Sequence, residues 1–201
     1  MCFKFQCQAT TFPGIRCNTR NLIHMSPASM TLNYRRLTPA DAPAYRALML
    51  EAYERHPDVF TSDVKEREVL PAQWWEKRLD DSAGASEVVF AAVENGHLLG
   101  VAGLCVETRK KARHKSTLFG MYVPLAHRNR GIGARLVRSV LDHAGTRPEL
   151  LVVQLTVTQG NTEAVGLYER MGFVTFGLEP LAVAVGTGFV AKVHMWKDLR
   201  G

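Results

Sequence analysis

Hydrophobic positions along the first half of this chain change from strand-like to helix-like spacing. They predict a strand, a helix, a loop or short helix, and a second helix, over residues 32–37, 42–56, 58–69 and 71–79. Thr38 and Pro39 are typical of a helix start, and Pro57 is typical of its end. The second helix carries Trp74 and Trp75, for which core packing is favoured over a ligand platform.

The second half of the chain is predicted to be mainly strands. These cover residues 88–94, 98–107, 116–123, 150–157, 174–178 and 189–199, with helices over residues 131–144 and 161–171. Asn95-Gly96 is a type I′ hairpin signal. Hairpins followed by βα units predict an α/β (α+β) fold in the order βααβββαβαββ. Its central sheet is expected to be mixed and mostly antiparallel, with helices on both faces.

Net charge is unevenly distributed along the chain. The formal charge is +6, of which residues 1–29 contribute +3 without a single acid, so 6 − 3 = +3 belongs to the rest. That remainder suits an anionic cofactor as well as nucleic acid, and the basic run at residues 109–115 is expected to be a solvated hairpin tip. Nucleic acid is therefore not an expected partner.

Residues 1–29 are expected to be a disordered or mis-assigned leader. Regular periodicity begins only at Leu32, and both Met25 and Met30 are alternative starts. Residues 30–201 have the length of one ordinary domain. Apolar runs are too short to span a bilayer, so no membrane partner is expected.

Cysteine usage indicates a reducing compartment. Three of the four cysteines lie in residues 1–29, and Cys105 lies in an apolar strand pattern that predicts a buried thiol. Neither a disulfide framework nor a paired zinc spacing is present. We therefore expect a cytoplasmic protein without a metal, and Cys105 is a poor candidate for a nucleophile.

The segment from Arg128 to Ala134 carries the main chemical signal. It reads Arg-Asn-Arg-Gly-Ile-Gly-Ala, follows an apolar run and precedes a helical pattern. A glycine-bearing turn between a strand and a helix predicts a seat for phosphate or pyrophosphate, because main-chain N–H groups and the helix dipole meet there. A triphosphate P-loop would need Gly-Lys-Ser/Thr, and a dinucleotide site would need a third glycine, so both are disfavoured.

Two blocks in this order resemble the GNAT superfamily of N-acetyltransferases. Residues 128–133 resemble its acetyl-coenzyme A (acetyl-CoA) signature Q/R-x-x-G-x-G/A, and residues 161–173 resemble its second block N-x-x-A-x-x-L-Y-x-x-x-G-F. The resemblance covers about residues 30–199. It implies a GNAT-like fold, acetyl-CoA as cosubstrate, and acetyl transfer to a primary amine by direct attack in a ternary complex.

The resemblance also assigns a cofactor site. The turn would hold the pyrophosphate through main-chain N–H groups, while Arg128 and Arg130 either add charge-assisted bonds or lie at a solvated helix start. The strand ending at residues 121–123 would diverge from its parallel neighbour, pair with pantetheine and polarise the thioester carbonyl, unless it is an ordinary core strand. The residues assigned to cofactor binding are Met121, Tyr122, Val123, Arg128, Asn129, Arg130, Gly131, Ile132, Gly133, Ala134 and Asn161.

Tyr168 is the candidate catalytic residue. By resemblance it lies where the family keeps a tyrosine near the cofactor sulfur, able to protonate the departing thiolate. The alternative is a core aromatic that shares a helix face with Leu167 and Met171. Asn161 either bonds the pantetheine arm or only caps its helix.

The general base is not identifiable from the sequence. Candidates by residue type alone are Glu51, Glu54, Glu76, Glu107 and His194, and a water relay is the alternative.

The acceptor is expected to be a small-molecule amine, bound between the helical region of residues 42–79 and a loop at residues 179–189. A peptide or protein amine is the second hypothesis and would require an open acidic or apolar groove. A coenzyme A-binding sensor without turnover is the third hypothesis, against which Tyr168 argues. A homodimer stays open.

Overall fold

Seven strands form one sheet in the computed structural model, which describes residues 32–201. The strands are β1 (Asn33–Arg36), β2 (Glu87–Glu94), β3 (His97–Val106), β4 (Lys115–Tyr122), β5 (Val152–Thr158), β6 (Val174–Val185) and β7 (Gly188–Asp198). Their order across the sheet is β1-β2-β3-β4-β5-β7-β6, and only the β4–β5 pair is parallel. The predicted mixed, mostly antiparallel sheet is confirmed, while the predicted leader lies outside the described residues.

Helices cover both faces of the sheet, as predicted. They are α1 (Ala42–Arg55), α2 (Val64–Glu68), α3 (Ala72–Lys77), α4 (Ile132–Gly145) and α5 (Thr162–Arg170). Along β2, Val88 and Ala92 belong to the core under α4, whereas Val89 and Ala91 belong to the core under α1 and α3. Successive strand residues point to opposite faces, so the alternation in β2 builds two separate cores.

The start of α1 is fixed by an acid. Asp41 accepts a hydrogen bond from the Thr38 N–H at 2.9 Å and pairs with Arg35 at 2.7 Å. The Arg35 guanidinium, together with Thr38, lowers the pKa of Asp41 to about 2. From this start, α1 buries residues at helical spacing against the sheet. They are Ala42, Tyr45, Leu48, Met49 and Ala52.

Two sequence-based expectations fail near the sheet. The predicted loop at residues 179–189 is wrong, because β6 continues to Val185 and a short turn leads into β7. Pro180 and Leu181 (φ +55°) lie where the β6–β7 register shifts, which an edge strand tolerates. The thiol of Cys105 is half-buried rather than buried.

Candidate active site

Strands β4 and β5 pair at one end and separate at the other. Their parallel pairing covers only Lys115–Thr117 against Val152–Gln154. Further along β4, the register against β3 shifts beside Gly120, which has φ +59°. A bulge of this kind bends a strand. The facing main-chain groups of β4 and β5 beyond the paired segment are therefore without a strand partner.

A cavity of about 820 Å³ opens at this separation. We call the part lined by residues 121–123, 128–129, 131–134, 161–164 and 167–168 its turn end. The predicted site residues that line it are Met121, Tyr122, Val123, Arg128, Asn129, Gly131, Ile132, Gly133, Ala134, Asn161 and Tyr168. The fold thus brings the end of β4, the glycine turn and α5 together around one space.

The turn before α4 offers main-chain N–H groups to the cavity. Gly131, at φ +74°, precedes the helix, and the Arg135 N–H donates to the Gly131 carbonyl at 3.1 Å. The N–H groups of residues 132–134 precede that first helical bond and have no helical acceptor. A Cβ at Gly131 would meet nothing within 4 Å, whereas one at Gly133 would lie 3.0 Å from Met121 Cε. Gly131 thus provides a backbone angle and Gly133 allows close packing.

The two arginines of the turn have different partners. Arg128 lines the cavity, and its Nε donates to the Val123 carbonyl at 3.1 Å. Arg130 is absent from the lining, because its Nη2 donates to Glu94 Oε1 on β2 at 2.7 Å. The structure therefore does not bring Arg130 into the predicted cofactor set.

Tyr168 lies between the core and the cavity. Its side chain is buried, packs edge-on against Phe173 with ring centroids 5.8 Å apart, and also lines the cavity. Burial raises the pKa of its phenol, which keeps the hydroxyl protonated near neutral pH. Core packing and contact with the cavity are therefore compatible at this position.

Asn161 caps α5, as one of its two predicted roles requires. Its Oδ1 accepts a hydrogen bond from the Ala164 N–H at 3.1 Å, while the residue also lines the cavity. The cap occupies the side-chain oxygen. A contact with pantetheine stays a prediction.

In residues 32–201, the candidate bases do not line the cavity. Glu51 Oε1 accepts a hydrogen bond from the Tyr122 hydroxyl at 3.3 Å. Glu107 pairs with Arg109 in the connection after β3. The remaining candidates are exposed or paired with another side chain, and they are Glu54, Glu76 and His194. A water relay is the alternative that these positions favour.

The opposite part of the cavity, its arginine end, is walled by aromatic and apolar side chains with two arginines. Its residues are Tyr45, Met49, Tyr53, Val59, Phe60, Arg67, Arg78 and Phe119. The guanidinium carbons of Arg67 and Arg78 lie 4.7 and 4.8 Å from the Trp74 ring centroid. Trp75 is fully buried, as predicted, whereas Trp74 supports the two arginines. Residues 179–189, expected beside the acceptor, do not line this cavity.

Lys192 of β7 fastens the loop that follows α1. Its buried Nζ donates to the Val59 carbonyl and, at 2.9 Å, to Thr158 Oγ1. The Thr158 hydroxyl donates in turn to the Asp58 carbonyl at 2.8 Å. Burial lowers the pKa of Lys192. These bonds join the cavity wall to the end of β5.

Four cations that line the cavity are not among the predicted site residues, and they are Arg67, Arg78, Arg170 and Lys192. Arg67 stands in the charged run Val64–Glu68, and Arg78 follows an amphipathic helix, so both resemble solvated surface. Lys192 interrupts the apolar closing strand. A charged residue within a strand pattern was the one available signal, and it indicates burial with a partner rather than a specific role.

The described residues contain neither a metal-binding cluster nor a membrane-spanning helix. Within 32–201, no group of three or more His, Cys, Asp or Glu residues is arranged to hold a metal ion. None of the helices in this part of the chain has the length and apolarity to cross a membrane.

Known proteins match this chain in sequence. Residues 46–173 match the model of the acetyltransferase (GNAT) family. An L-amino acid N-acetyltransferase of Escherichia coli (strain K12) is 28% identical over 99 residues, which are 49% of this chain and 59% of that protein. The matched region thus spans little more than half the length of this curated relative.

Two solved structures share the fold along almost their whole length. An acetyltransferase of the GNAT family from Streptococcus pneumoniae has a TM-score of 0.75 and 27% identity, covering 84% of this chain and 99% of its own. A ribosomal-protein-alanine N-acetyltransferase from Brucella melitensis has a TM-score of 0.68 and 26% identity, covering 83% and 99%. The family match and the shared fold confirm the resemblance carried by the two sequence blocks.

Proposed function

Because this chain belongs to the acetyltransferase (GNAT) family, we propose that it transfers an acetyl group from acetyl-CoA to a primary amine of a small molecule. The observation that carries the proposal is the cavity at the β4–β5 separation, which has free main-chain groups at one end and a wall of aromatic side chains and arginines at the other. Such a cavity can hold a donor and an acceptor together, which supplies much of the acceleration in direct transfer.

The turn end has the features needed to hold acetyl-CoA. The N–H groups of residues 132–134, with Arg128 beside them, would bind its pyrophosphate. Open space beside Gly131, where a Cβ would meet nothing within 4 Å, leaves room for phosphate oxygens. When bound, acetyl-CoA supplies an activated acetyl thioester. The same open space makes Gly131 the position at which binding can be tested most cleanly.

The separated edge of β4 would position the reacting group. Its unpaired main-chain groups can pair with the pantetheine amides as a neighbouring strand would. An N–H within residues 121–123 would then donate to the thioester oxygen, where negative charge develops during attack. The amine nitrogen forms a bond to the carbonyl carbon, and the carbon–sulfur bond breaks.

Tyr168 is proposed as the proton donor to the departing sulfur. Its raised pKa keeps the hydroxyl protonated beforehand. A free thiol normally has a pKa of about 8.5, which is below that of the Tyr168 phenol. Proton transfer from the phenol to the thiolate is therefore favourable only if desolvation also raises the pKa of the coenzyme A thiol. The buried position of Tyr168 at the cavity wall supports this condition. The amine proton leaves through water, and solvent restores the phenol.

The alternatives differ in acceptor or in turnover. A peptide or protein amine would need an open acidic or apolar groove, and the wall beside α1 and α3 carries arginines instead. The Escherichia coli relative is named for amino acids and the Brucella melitensis structure for a ribosomal protein, so both acceptor classes belong in the test. A non-catalytic sensor is less favoured because Tyr168 reaches the cavity.

Two measurements test the proposal. Acetyl-CoA at 100 times its Kd stabilises a protein by about 2.7 kcal/mol, which corresponds to a rise in Tm of roughly 5–10 °C for a domain of this size. Thiol release and product mass are then followed over a panel of amines and peptides. No rise in Tm would contradict the donor assignment, and a rise without any turnover would favour the sensor.

A further inference from the structure

The arginine end is positively charged at the place where an amine must bind. Arg67 and Arg78 line it, and the residues described there contribute no carboxylate to the lining. Glu163 lines the cavity from α5, whose Leu167 packs on Gly133 of the glycine turn. A simple protonated amine would be repelled by the two guanidinium groups. An acceptor suited to this end must therefore bring negative charge with it.

Arg67 uses only some of its guanidinium N–H groups as hydrogen-bond donors. Its Nη2 donates to Ser62 Oγ at 2.6 Å, while its buried Nε has no hydrogen-bond partner among residues 32–201. Stacking on Trp74 occupies the face of the guanidinium. The N–H donors lie in the guanidinium plane, so stacking leaves them able to bind a carboxylate.

The charge of Arg78 is partly compensated by Glu87, which does not line the cavity. Its Nε lies 3.4 Å from Glu87 Oε2, which is longer than an ordinary hydrogen bond, and Glu87 does not line the cavity. The guanidinium stacks on both Trp74 and Phe119. Two aromatic supports fix its position while keeping it at the cavity.

Arg78 is within reach of the proposed reaction centre, and Arg67 stacks on the same Trp74 ring as Arg78. Arg78 lies 4.8 Å from the Phe119 ring, and Phe119 precedes Met121 on β4 by two residues. Two residues of a strand span about 7 Å. A small molecule can therefore place one group on the arginines and another at the thioester.

We propose that the acceptor is a small amine that also carries a carboxylate, as an amino acid does. The carboxylate binds Arg67 and Arg78, the amine faces the thioester at residues 121–123, and the remaining apolar part lies against Tyr45 and the neighbouring aromatic wall. This assignment rests on the proposed acetyl transfer and names its substrate class.

The test compares free amino acids with their carboxamides, for example phenylalanine with phenylalaninamide and leucine with leucinamide. We expect kcat/KM to be at least tenfold higher for the free acid. Arg67→Met and Arg78→Met each lower kcat/KM for the acid at least tenfold, mainly through KM, and change that for the amide less than twofold. Arg138→Met, an equal loss of charge at an exposed position on α4, is the matched control and changes neither.

A folding control accompanies each variant. An unchanged rise in Tm with acetyl-CoA shows that the turn end is intact, and Arg67→Lys should recover only part of the preference because lysine lacks the planar fork. If an arginine variant does not fold, the acid-to-amide ratio of the wild-type protein decides.

Equal kcat/KM for acid and amide, or acetylation of peptides but not of free acids, overturns the carboxylate assignment while acetyl transfer stands. Equal losses for acid and amide in both arginine variants overturn it as well. Absence of the acetyl-CoA-induced rise in Tm in the wild-type protein overturns the proposed function itself.

Discussion

The turn end and the arginine end of the cavity are built from different parts of the chain. The turn end uses main-chain N–H groups of one continuous segment, residues 128–134, beside the bent end of β4. The arginine end uses side chains from α1, the segment after it, α2 and β4, together with Arg78, which directly follows α3. One end depends on backbone angles that few residues can adopt, and the other depends on which side chains meet in space.

This difference separates the part of the site that is used with every acceptor from the part that selects among acceptors. A main-chain site suits a ligand that does not vary, here acetyl-CoA, because the main-chain N–H group is the same in every residue except proline. A side-chain wall can be changed by single substitutions without altering the sheet. We therefore expect changes at the turn end to affect reaction with every amine, and changes at the arginine end to affect only some amines.

The largest effect is expected for Tyr168→Phe. Loss of the phenol should lower kcat at least 100-fold, as general acids commonly contribute, and change KM for acetyl-CoA less than twofold. Phenylalanine keeps the ring contact with Phe173, so Tm should change little. Steady-state kinetics with two unrelated amines checks this, because both should lose the same factor. An unchanged kcat, with chemistry shown to limit the rate, would reduce Tyr168 to core packing.

Gly131→Ala should have the next largest effect. At φ +74° a Cβ costs about 1–2 kcal/mol, so Tm should fall by several degrees. The added methyl group would also occupy the open space proposed for phosphate oxygens, so acetyl-CoA should bind roughly tenfold more weakly. Gly145→Ala, at the other end of α4, is the matched control, since its Cβ meets nothing within 4 Å and its φ is ordinary. Calorimetric titration with acetyl-CoA measures both variants. Equal affinities would mean that the turn tolerates a side chain and that its backbone angle is not what binds the ligand.

The same difference explains which features the sequence predicts. Gly131 and Asn95-Gly96 are visible because left-handed backbone angles restrict residue choice, and Gly131 and Asn95 do adopt positive φ. The strand β2 is visible as a short continuous apolar run, because each of its two faces packs in its own core. Arg67 and Arg78 are not visible, because an arginine that stacks on Trp74 inside a wall has the same local sequence as one in water.

Arg130 shows the same limit within the glycine turn itself. Arg128 and Arg130 are two residues apart in one motif, and the sequence gives no reason to separate them. The two arginines differ because Arg130 pairs with Glu94, which lies on a strand from the first half of the chain. The β6 edge is similar, because Pro180 indicates a loop until an edge strand is known to accommodate it.

Substitution of these two arginines provides a smaller and more selective test. Arg128→Met should weaken acetyl-CoA binding three- to tenfold, because a charge beside the pyrophosphate seat is lost. Arg130→Met should change it less than twofold, because that side chain is paired with Glu94. Binding at low and high salt measures the pair, and salt should reduce the difference between them. A larger loss for Arg130→Met would mean that Arg130 leaves Glu94 when the ligand binds.

The smallest effect is expected at the start of α1, the helix that forms part of the arginine end. Asp41 begins α1, and its pKa is lowered from 3.8 to about 2, chiefly by Arg35. A lowered pKa stabilises the fold while the acid is ionised, so this stabilisation is complete above about pH 4 and is lost as pH falls toward 2. Asp41→Asn should therefore destabilise the protein by about 1 kcal/mol at pH 7, after allowing for solvent screening. In urea unfolding, its difference from wild type should shrink as the pH is lowered from 4 to 2.

Asp198 is the matched control for Asp41. Its pKa is also lowered to about 2, by Arg200, but its carboxylate lies at the end of β7 and does not begin a helix. Asp198→Asn should consequently change the urea midpoint less than Asp41→Asn does, although the pKa of each carboxyl group is lowered to about 2. The Asp41 variant should also raise KM for the amine slightly and leave acetyl-CoA affinity unchanged, because the α1 residues that line the cavity, Tyr45, Met49 and Tyr53, all belong to the arginine end. Equal changes in KM for the amine and in the affinity for acetyl-CoA would mean that the two ends of the cavity are not independent. The sheet would then transmit a disturbance of α1 to the glycine turn.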